Sequence, residues 1–239
     1  MKNFKTNRRF FNLRSAIIIC LIASCTFVSC SKDSVLPPVD KDGLTEAIRN
    51  ILPDDTLEKL KDLGIEINGG STPPNIEGTY DVAPVTLVKS NFADGYSPGK
   101  VFAAMRITFS KQDNAKQTIT INYTQGSAIT SDLGSYITGS GNKFTVFAEV
   151  ETTKNESTYK AVEVYSGEIT PDGIKNFYTA LIVTLKASWS INVGEGRLLY
   201  DSDGFSERIT STRSIPSASY QQSITTTSSE AFLPGVNSK

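Results

Sequence analysis

Residues 101–123 read VFAAMRITFSKQDNAKQTITINY, and this stretch establishes the fold class. Apolar and polar side chains alternate in it on both sides of a polar break at 112–114. Alternation with a period of two is typical of strands that bury one face. The stretch therefore predicts two antiparallel strands joined by a turn. The expected buried positions are Val101, Ala103, Met105, Ile107 and Phe109 in the first strand and Ile119, Ile121 and Tyr123 in the second.

The same alternation continues over residues 71–211. It recurs in 144–150, 159–169 and 177–187, with turn signals such as Pro171-Asp172-Gly173 between the runs. Seven to ten short strands separated by turns predict an all-β, mainly antiparallel domain, either a barrel or a sandwich. No strand–helix alternation is visible, which argues against a doubly wound nucleotide-binding sheet. Residues 212–239 are rich in Ser and Thr, and we expect them to form a mobile tail.

A short helical hairpin is predicted within residues 43–70, ahead of the β domain. Apolar side chains recur there at spacings of three and four, and Pro53 divides the pattern. Asp55 and Glu58 have capping-box spacing, and Gly64 suits the end of a helix. A segment of this size cannot form a core alone, so its apolar stripe must pack on the β domain.

The first residues predict an export signal. Residues 1–29 contain five basic side chains, no acid and an apolar run that is too short to cross a bilayer easily. Phe27-Val28-Ser29-Cys30 resembles a bacterial lipobox, in which Cys30 receives the acyl chains (palmitate among them); Cys25 is the alternative. Residues 30–42 would then be a lipidated tether. The resemblance implies a lipoprotein of the outer membrane, on its cell surface or periplasmic face, and the following Ser31-Lys32-Asp33 resembles the surface-export signal of Bacteroidota lipoproteins.

Composition excludes several functions. The 239 residues include no His, so no Ser-His or Cys-His catalytic pair can form. Removing residues 1–29 changes the formal net charge from −1 to −6, which disfavours nucleic-acid binding. No cofactor is predicted. Paired carboxylates are the one remaining route to an enzyme, but Glu149, Glu151, Glu163 and Glu168 are expected on solvated strand faces. The chain is therefore predicted not to be an enzyme.

Gly78-Thr79-Tyr80 resembles the Gly-x-Trp motif that begins the first strand of lipocalins, with Tyr in place of Trp. In that family an Arg of the last strand packs on the aromatic ring and closes the barrel. The resemblance implies that Arg208, or alternatively Arg197, covers Tyr80 as a cation–π contact. It also implies a small barrel with an apolar interior. Residues 73–80 further resemble a group of uncharacterised surface lipoproteins of the Bacteroidota type in which a helical segment precedes a β domain.

Other residues are candidates for a ligand, a metal ion or a modification. Asp201 and Asp203 resemble the start of a calcium loop, although a Gly-containing turn explains the same residues. Ser34 lies in an Asp-Ser-apolar pattern that resembles an O-glycosylation sequence. Aromatic side chains at alternating positions could line a ligand pocket or belong to the core; the predicted set is Phe102, Tyr123, Phe147, Tyr165, Tyr178 and Trp189.

Together these patterns predict a membrane-anchored, non-enzymatic lipoprotein that binds a small apolar or amphipathic ligand in a lipocalin-like barrel. The alternative is an envelope interaction module that docks on another protein through an apolar patch or an edge strand. The expected partners are thus the membrane, through the acylated cysteine, and either a small ligand or an envelope protein.

Overall fold

A computed structural model describes residues 36–93, 95–126, 128–154, 157–187 and 191–210. The predicted signal peptide, Cys30, Ser34, Trp189 and the tail 212–239 lie outside these ranges.

The described chain consists of a helical hairpin followed by a run of antiparallel strands. The two helices are α1 (Glu46–Ile51) and α2 (Asp54–Leu63). The strands are β1 (Gly78–Val82), β2 (Val85–Ser90), β3 (Val101–Phe102), β4 (Met105–Asp113), β5 (Thr118–Gln125), β6 (Ala128–Ser140), β7 (Lys143–Lys154), β8 (Ser157–Ile169), β9 (Gly173–Leu185), β10 (Gly196–Asp201) and β11 (Phe205–Ile209).

The strands form a closed barrel of eight. Three barrel strands are interrupted, so that β1 with β2, β3 with β4, and β10 with β11 each make one. Each barrel strand pairs antiparallel with its neighbours in sequence, and the first pairs with the last through Tyr80 and Arg208. The all-β prediction is confirmed. Of the two predicted architectures the structure has the barrel, because closure leaves no pair of separate sheets.

The interior of the barrel follows the predicted alternation. Met105, Ile107 and Phe109 of β4 are buried in a core to which every barrel strand contributes, as are Ile119, Ile121 and Tyr123 of β5. The pattern fails near the start of this stretch, where Phe102 is buried and Val101 and Ala103 are only half-buried. The interruption at residues 103–104, between β3 and β4, changes which side chains face inward.

The helical hairpin packs on the outside of the barrel. Its apolar stripe forms a second core with outward-facing side chains of the later strands, as the size of the hairpin required. Gly64 ends α2 in the left-handed region, as predicted, but the capping box is wrong: α2 begins at Asp54 behind Pro53, with no side-chain cap. No helix of the described ranges is long and apolar enough to cross a bilayer. The second core joins Leu44, Ile48, Leu52, Leu57, Leu60, Leu63 and Ile65 to Phe147, Val162, Val164, Ala180, Ile182 and Leu198.

Candidate functional site

At one end of the barrel, which we call the closed end, Arg208 covers Tyr80. The guanidinium carbon lies 4.9 Å from the ring centroid, so the predicted contact is present. The Tyr80 hydroxyl donates to the carbonyl of Ile76 (2.8 Å), and Nη1 of Arg208 donates to the carbonyl of Glu77 (2.7 Å). Burial raises the pKa of Tyr80 to about 12, against the opposing charge of Arg208. Gly78 has φ of 149°, and a Cβ there would collide with the Arg208 guanidinium.

Aromatic rings fill the interior next to this end. Phe109 contacts Tyr80, Phe144 and Tyr165, with centroid separations of 6.1–6.3 Å, and Tyr165 stacks on Phe177 at 6.2 Å. All five side chains are buried. The closed half of the barrel is therefore an apolar aromatic layer.

A buried carboxyl lies above the aromatic layer. Glu163 of β8 is 1% exposed, and it accepts hydrogen bonds from the hydroxyls of Tyr123 (3.1 Å) and Tyr165 (2.6 Å). Burial raises the pKa of Glu163, while the two hydroxyls oppose that shift. Burial also raises the pKa of Tyr123, and the nearby carboxyl of Glu163 adds to it. The expectation that Glu163 lies on a solvated face is wrong, because its neighbours at alternate positions, Ala161 and Tyr165, face the interior.

Tyr159 lies four residues from Glu163 on β8, beyond Ala161 and further from the closed end. Burial raises the pKa of its hydroxyl, Glu163 raises it further, and Arg197 lowers it. The hydroxyl is thus within electrostatic range of an acid on one side and a base on the other.

Arg197 lies among aromatic rings at the end of the barrel opposite Tyr80, and we call that end the mouth. Its guanidinium carbon lies 5.4, 5.2 and 5.9 Å from the ring centroids of Phe92, Tyr96 and Phe102. The Nζ atom of Lys100 contacts two of the same rings, at 5.2 Å from Tyr96 and 6.0 Å from Phe102. We call these five residues the mouth cluster. Arg197 is 5% exposed, so the cluster holds a largely desolvated cation.

Described residues of two loops are joined by hydrogen bonds beside the mouth cluster. Residues 91–93 and 95–100 carry Phe92, Tyr96 and Lys100. Asn91 binds them to the residues just before and at the start of β10: its Nδ2 donates to the carbonyl of Gly194 and its Oδ1 accepts from the amide of Gly196. The last residues before β3 are bound to strand β2, since Leu87 exchanges backbone hydrogen bonds with Gly99 and Lys100. The mouth cluster is therefore built between anchored segments.

The aromatic residues that were predicted to line a ligand pocket lie on two different faces of the barrel wall. Phe102, Tyr123 and Tyr165 face the interior, and Phe102 belongs to the mouth cluster. Phe147 and Tyr178 instead lie on the outer face, in the core under the helices, because they have the opposite parity on their strands. Arg197, the alternative partner of Tyr80, lies at the opposite end of the barrel from that ring.

Asp201 and Asp203 form a turn between β10 and β11. Asp201 is buried and its Oδ2 accepts from Ser206 Oγ (2.7 Å), while Asp203 Oδ1 accepts from the amide of Phe205 (2.9 Å). Burial raises the pKa of Asp201 to about 6, and the charge of Asp203 adds to that shift. Both carboxyl groups thus accept hydrogen bonds that stabilise the turn. Within the described ranges no group of three or more Cys, Asp or Glu side chains could hold a metal ion.

The sequence analysis did not predict that Glu163 is buried or that Arg197 lies among aromatic rings. A usable signal existed for Glu163, since Tyr159, Ala161 and Tyr165 alternate with it and all are of types that fill interiors. For Arg197 no comparable signal existed, since its rings come from a loop about 100 positions earlier.

Comparisons of the chain with protein-family models, with curated proteins and with solved structures find no match. The chemistry must therefore be read from the site itself. It consists of an apolar aromatic layer at the closed end, a buried carboxyl hydrogen-bonded to two phenols, and a cation among aromatic rings at the opposite end.

Proposed function

We propose that the protein is a non-enzymatic, lipid-anchored envelope lipoprotein that binds a small amphipathic ligand through the mouth of its barrel. The observation that carries the proposal is a set of buried polar side chains, Glu163, Tyr159 and Arg197, which lie beyond the packed rings of the closed end. A purely structural core rarely retains buried ionisable groups, because their desolvation costs free energy.

The geometry also indicates where the ligand enters. The closed end is covered by Tyr80 and Arg208, and the rings above them are in mutual contact. Ligand sites in small barrels commonly lie at the mouth and combine apolar walls with a few polar groups. Entry at the end of the barrel that carries Arg197 therefore fits this barrel best.

Anchoring by Cys30 is part of the proposal. Support comes from the basic, then apolar, N-terminal residues and from the lipobox-like sequence before Cys30. Two or more acyl chains are enough for stable attachment to a bilayer. We propose the outer membrane as the location, on the basis of the lipoprotein resemblance.

Native mass spectrometry of residues 31–239, purified from an envelope-containing host without detergent, tests the ligand-binding proposal. We expect a reproducible added mass that is lost when the protein unfolds, and its fragmentation would identify the ligand class. A clean apoprotein mass, both as purified and after incubation with envelope lipids and oligosaccharides, would contradict the proposal.

A second function is favoured by apolar side chains at the same end of the barrel. Ile129, Val193 and Leu185 are 77%, 56% and 44% exposed, and all three lie where strands enter or leave the mouth. Exposed apolar side chains at one end of a barrel are accessible to a protein partner. A photo-crosslinking residue placed at position 129 in cells should then capture a discrete envelope protein; no adduct would count against docking.

A further inference from the structure

The barrel wall is only partly paired between β6 and β7. Their ladder ends at the pair Ser135 and Ala148, although both strands continue beyond it, away from their connecting turn. Within the part of the chain that the structure describes, 128–134 of β6 pair only with β5, and 149–154 of β7 pair only with β8. We call the gap between these two segments the seam. The seam gives the barrel wall two strand edges that face each other without pairing.

The β7 edge of the seam is the better template for another strand. Residues 149–154 pair with β8 in an unbroken register, so the backbone N–H and C=O groups of every second residue are directed at the seam. In β6 the register with β5 shifts between Ile121 and Tyr123, and a bulge of this kind blunts an edge. Extended peptides bind a strand edge by adding a strand, and their backbone hydrogen bonds supply the affinity. The seam therefore offers one regular edge, on β7.

The side chains beside this edge define what the added strand must carry. Val150 continues the inward-facing row of β7 and is half-buried, so one row of the added strand would meet apolar surface. Glu149 and Glu151 point outward and are exposed. Glu151 pairs with Lys160 of β8 at 2.8 Å, and both carboxylates raise the pKa of that ammonium. The other row of the added strand would therefore lie beside two carboxylates.

Two occupants from this chain fit the edge less well. A second copy that paired through the same edge would bring Glu149 and Glu151 of both copies onto one face, and like charges on facing strands are destabilising. Residues 214–229 of the C-terminal tail contain no charged side chain, so they have no ionic match to the two carboxylates. A strand in which apolar and basic side chains alternate matches both rows.

We infer that the β7 edge of the seam binds an extended segment of an envelope protein in which apolar side chains alternate with basic ones. This inference rests on the second proposed function, docking on a protein, and names the chemistry of the partner. Ile129, which is 77% exposed, lies on the β6 side of the seam. The seam thus adjoins one of the apolar side chains on which the docking proposal is based.

The test uses a dye-labelled peptide of the sequence KVTVKVTVK, N-methylated at alternate residues so that only one of its edges can pair. Fluorescence anisotropy with residues 31–239 would measure its affinity. A form methylated at every residue keeps the side chains but has no backbone donors. We expect it to bind at least about tenfold more weakly, since several backbone hydrogen bonds are lost together. The one-edged peptide EVTVEVTVE should bind about 3–10-fold more weakly than the Lys peptide, and added salt should reduce that difference.

Hydrogen exchange and charge reversal assign the binding to the seam. The Lys peptide should slow amide exchange in 149–154. Glu149→Lys should weaken binding of the Lys peptide and strengthen binding of the Glu peptide, each by about 3–10-fold. Glu58→Lys is the matched control, because it makes the same change at an exposed position of α2 and should alter neither affinity. If Glu149→Lys fails to fold, exchange in the wild-type protein still tests the inference.

The outcomes separate the inference from the function on which it rests. Equal binding of the one-edged and fully methylated peptides, or unchanged exchange in 149–154, would overturn the inference. A crosslinked adduct at position 129 without peptide binding would overturn it and leave docking intact, whereas the absence of both would count against docking too. Self-association that the peptide blocks would assign the seam to a second copy, and peptide binding seen only after removal of residues 212–239 would assign it to the tail. Either result would overturn the choice of partner.

Discussion

Replacing Glu163 tests the polar layer inside the barrel. In Glu163→Leu the hydroxyls of Tyr123 and Tyr165 lose the carboxyl oxygens that lie 3.1 and 2.6 Å away. Leaving a buried donor unsatisfied costs about 1–3 kcal/mol, so the two together predict a loss of about 2–6 kcal/mol in the free energy of unfolding. Glu163→Gln keeps an acceptor oxygen and should cost about 0–2 kcal/mol. Urea denaturation followed by circular dichroism measures both changes.

The pH dependence of the Gln variant is an independent check. Because burial raises the pKa of Glu163, the folded protein holds this proton more tightly than the unfolded chain does. The resulting stability is present at low pH and is lost as the pH rises through the folded-state pKa. Since Gln cannot ionise, Glu163→Gln should gain stability relative to the wild type as the pH rises above about 4.5, the ordinary value.

Glu168→Leu on the same strand is the matched control. Glu168 accepts a hydrogen bond from Asn142 (2.7 Å) in an exposed position, so its loss should change the free energy of unfolding by about 0.5 kcal/mol or less. The reasoning is refuted if Glu163→Leu is no more destabilising than this control, or if the Gln variant and the wild type keep a constant stability difference from pH 4 to 8.

Three further perturbations have defined outcomes. Gly78→Ala should destabilise the protein by about 1–3 kcal/mol, through the positive φ and the collision with Arg208; Gly134→Ala, whose Cβ meets nothing within 4 Å, should be near neutral in the same thermal melt. Asp201→Asn should gain about 1–2 kcal/mol in the free energy of unfolding relative to the wild type between pH 4 and 7. The folded-state pKa of about 6 lies above the ordinary value, so the wild type loses stability as this buried carboxyl ionises. Parallel curves of stability against pH for the two proteins would refute this. Cys30→Ala should abolish metabolic labelling with an alkyne-tagged palmitate; persistent labelling would point to another acceptor.

The strand content and most of the inward faces could be predicted from the sequence. Alternation in β5 identified Ile119, Ile121 and Tyr123 as core residues, and each is buried. The prediction failed at Phe102 because a single interruption shifts a period-two pattern onto the opposite face. The inward or outward direction of a side chain can be predicted from its neighbours only as long as the strand is continuous.

The candidate site was harder to predict. A resemblance at Gly78-Thr79-Tyr80 identified the contact between Tyr80 and Arg208 at the closed end. The mouth cluster could not be foreseen, since Arg197 meets rings from a loop whose path depends on the complete barrel. Glu163 was misplaced because ionisable side chains are assumed to face solvent.

The sequence by itself determined the period of each strand, the amphipathic hairpin and the absence of imidazole chemistry, since these depend on neighbouring residues and on composition. Only the tertiary structure decided what packs against each face of a strand. Phe144 lies inside the barrel, while Phe147, three positions later, lies under α1 and α2. It also decided that Glu163 is buried and that Arg197 is surrounded by rings. The physical reason is that burial and charge environment are set by the partners that chain closure brings together, and no local pattern encodes those partners.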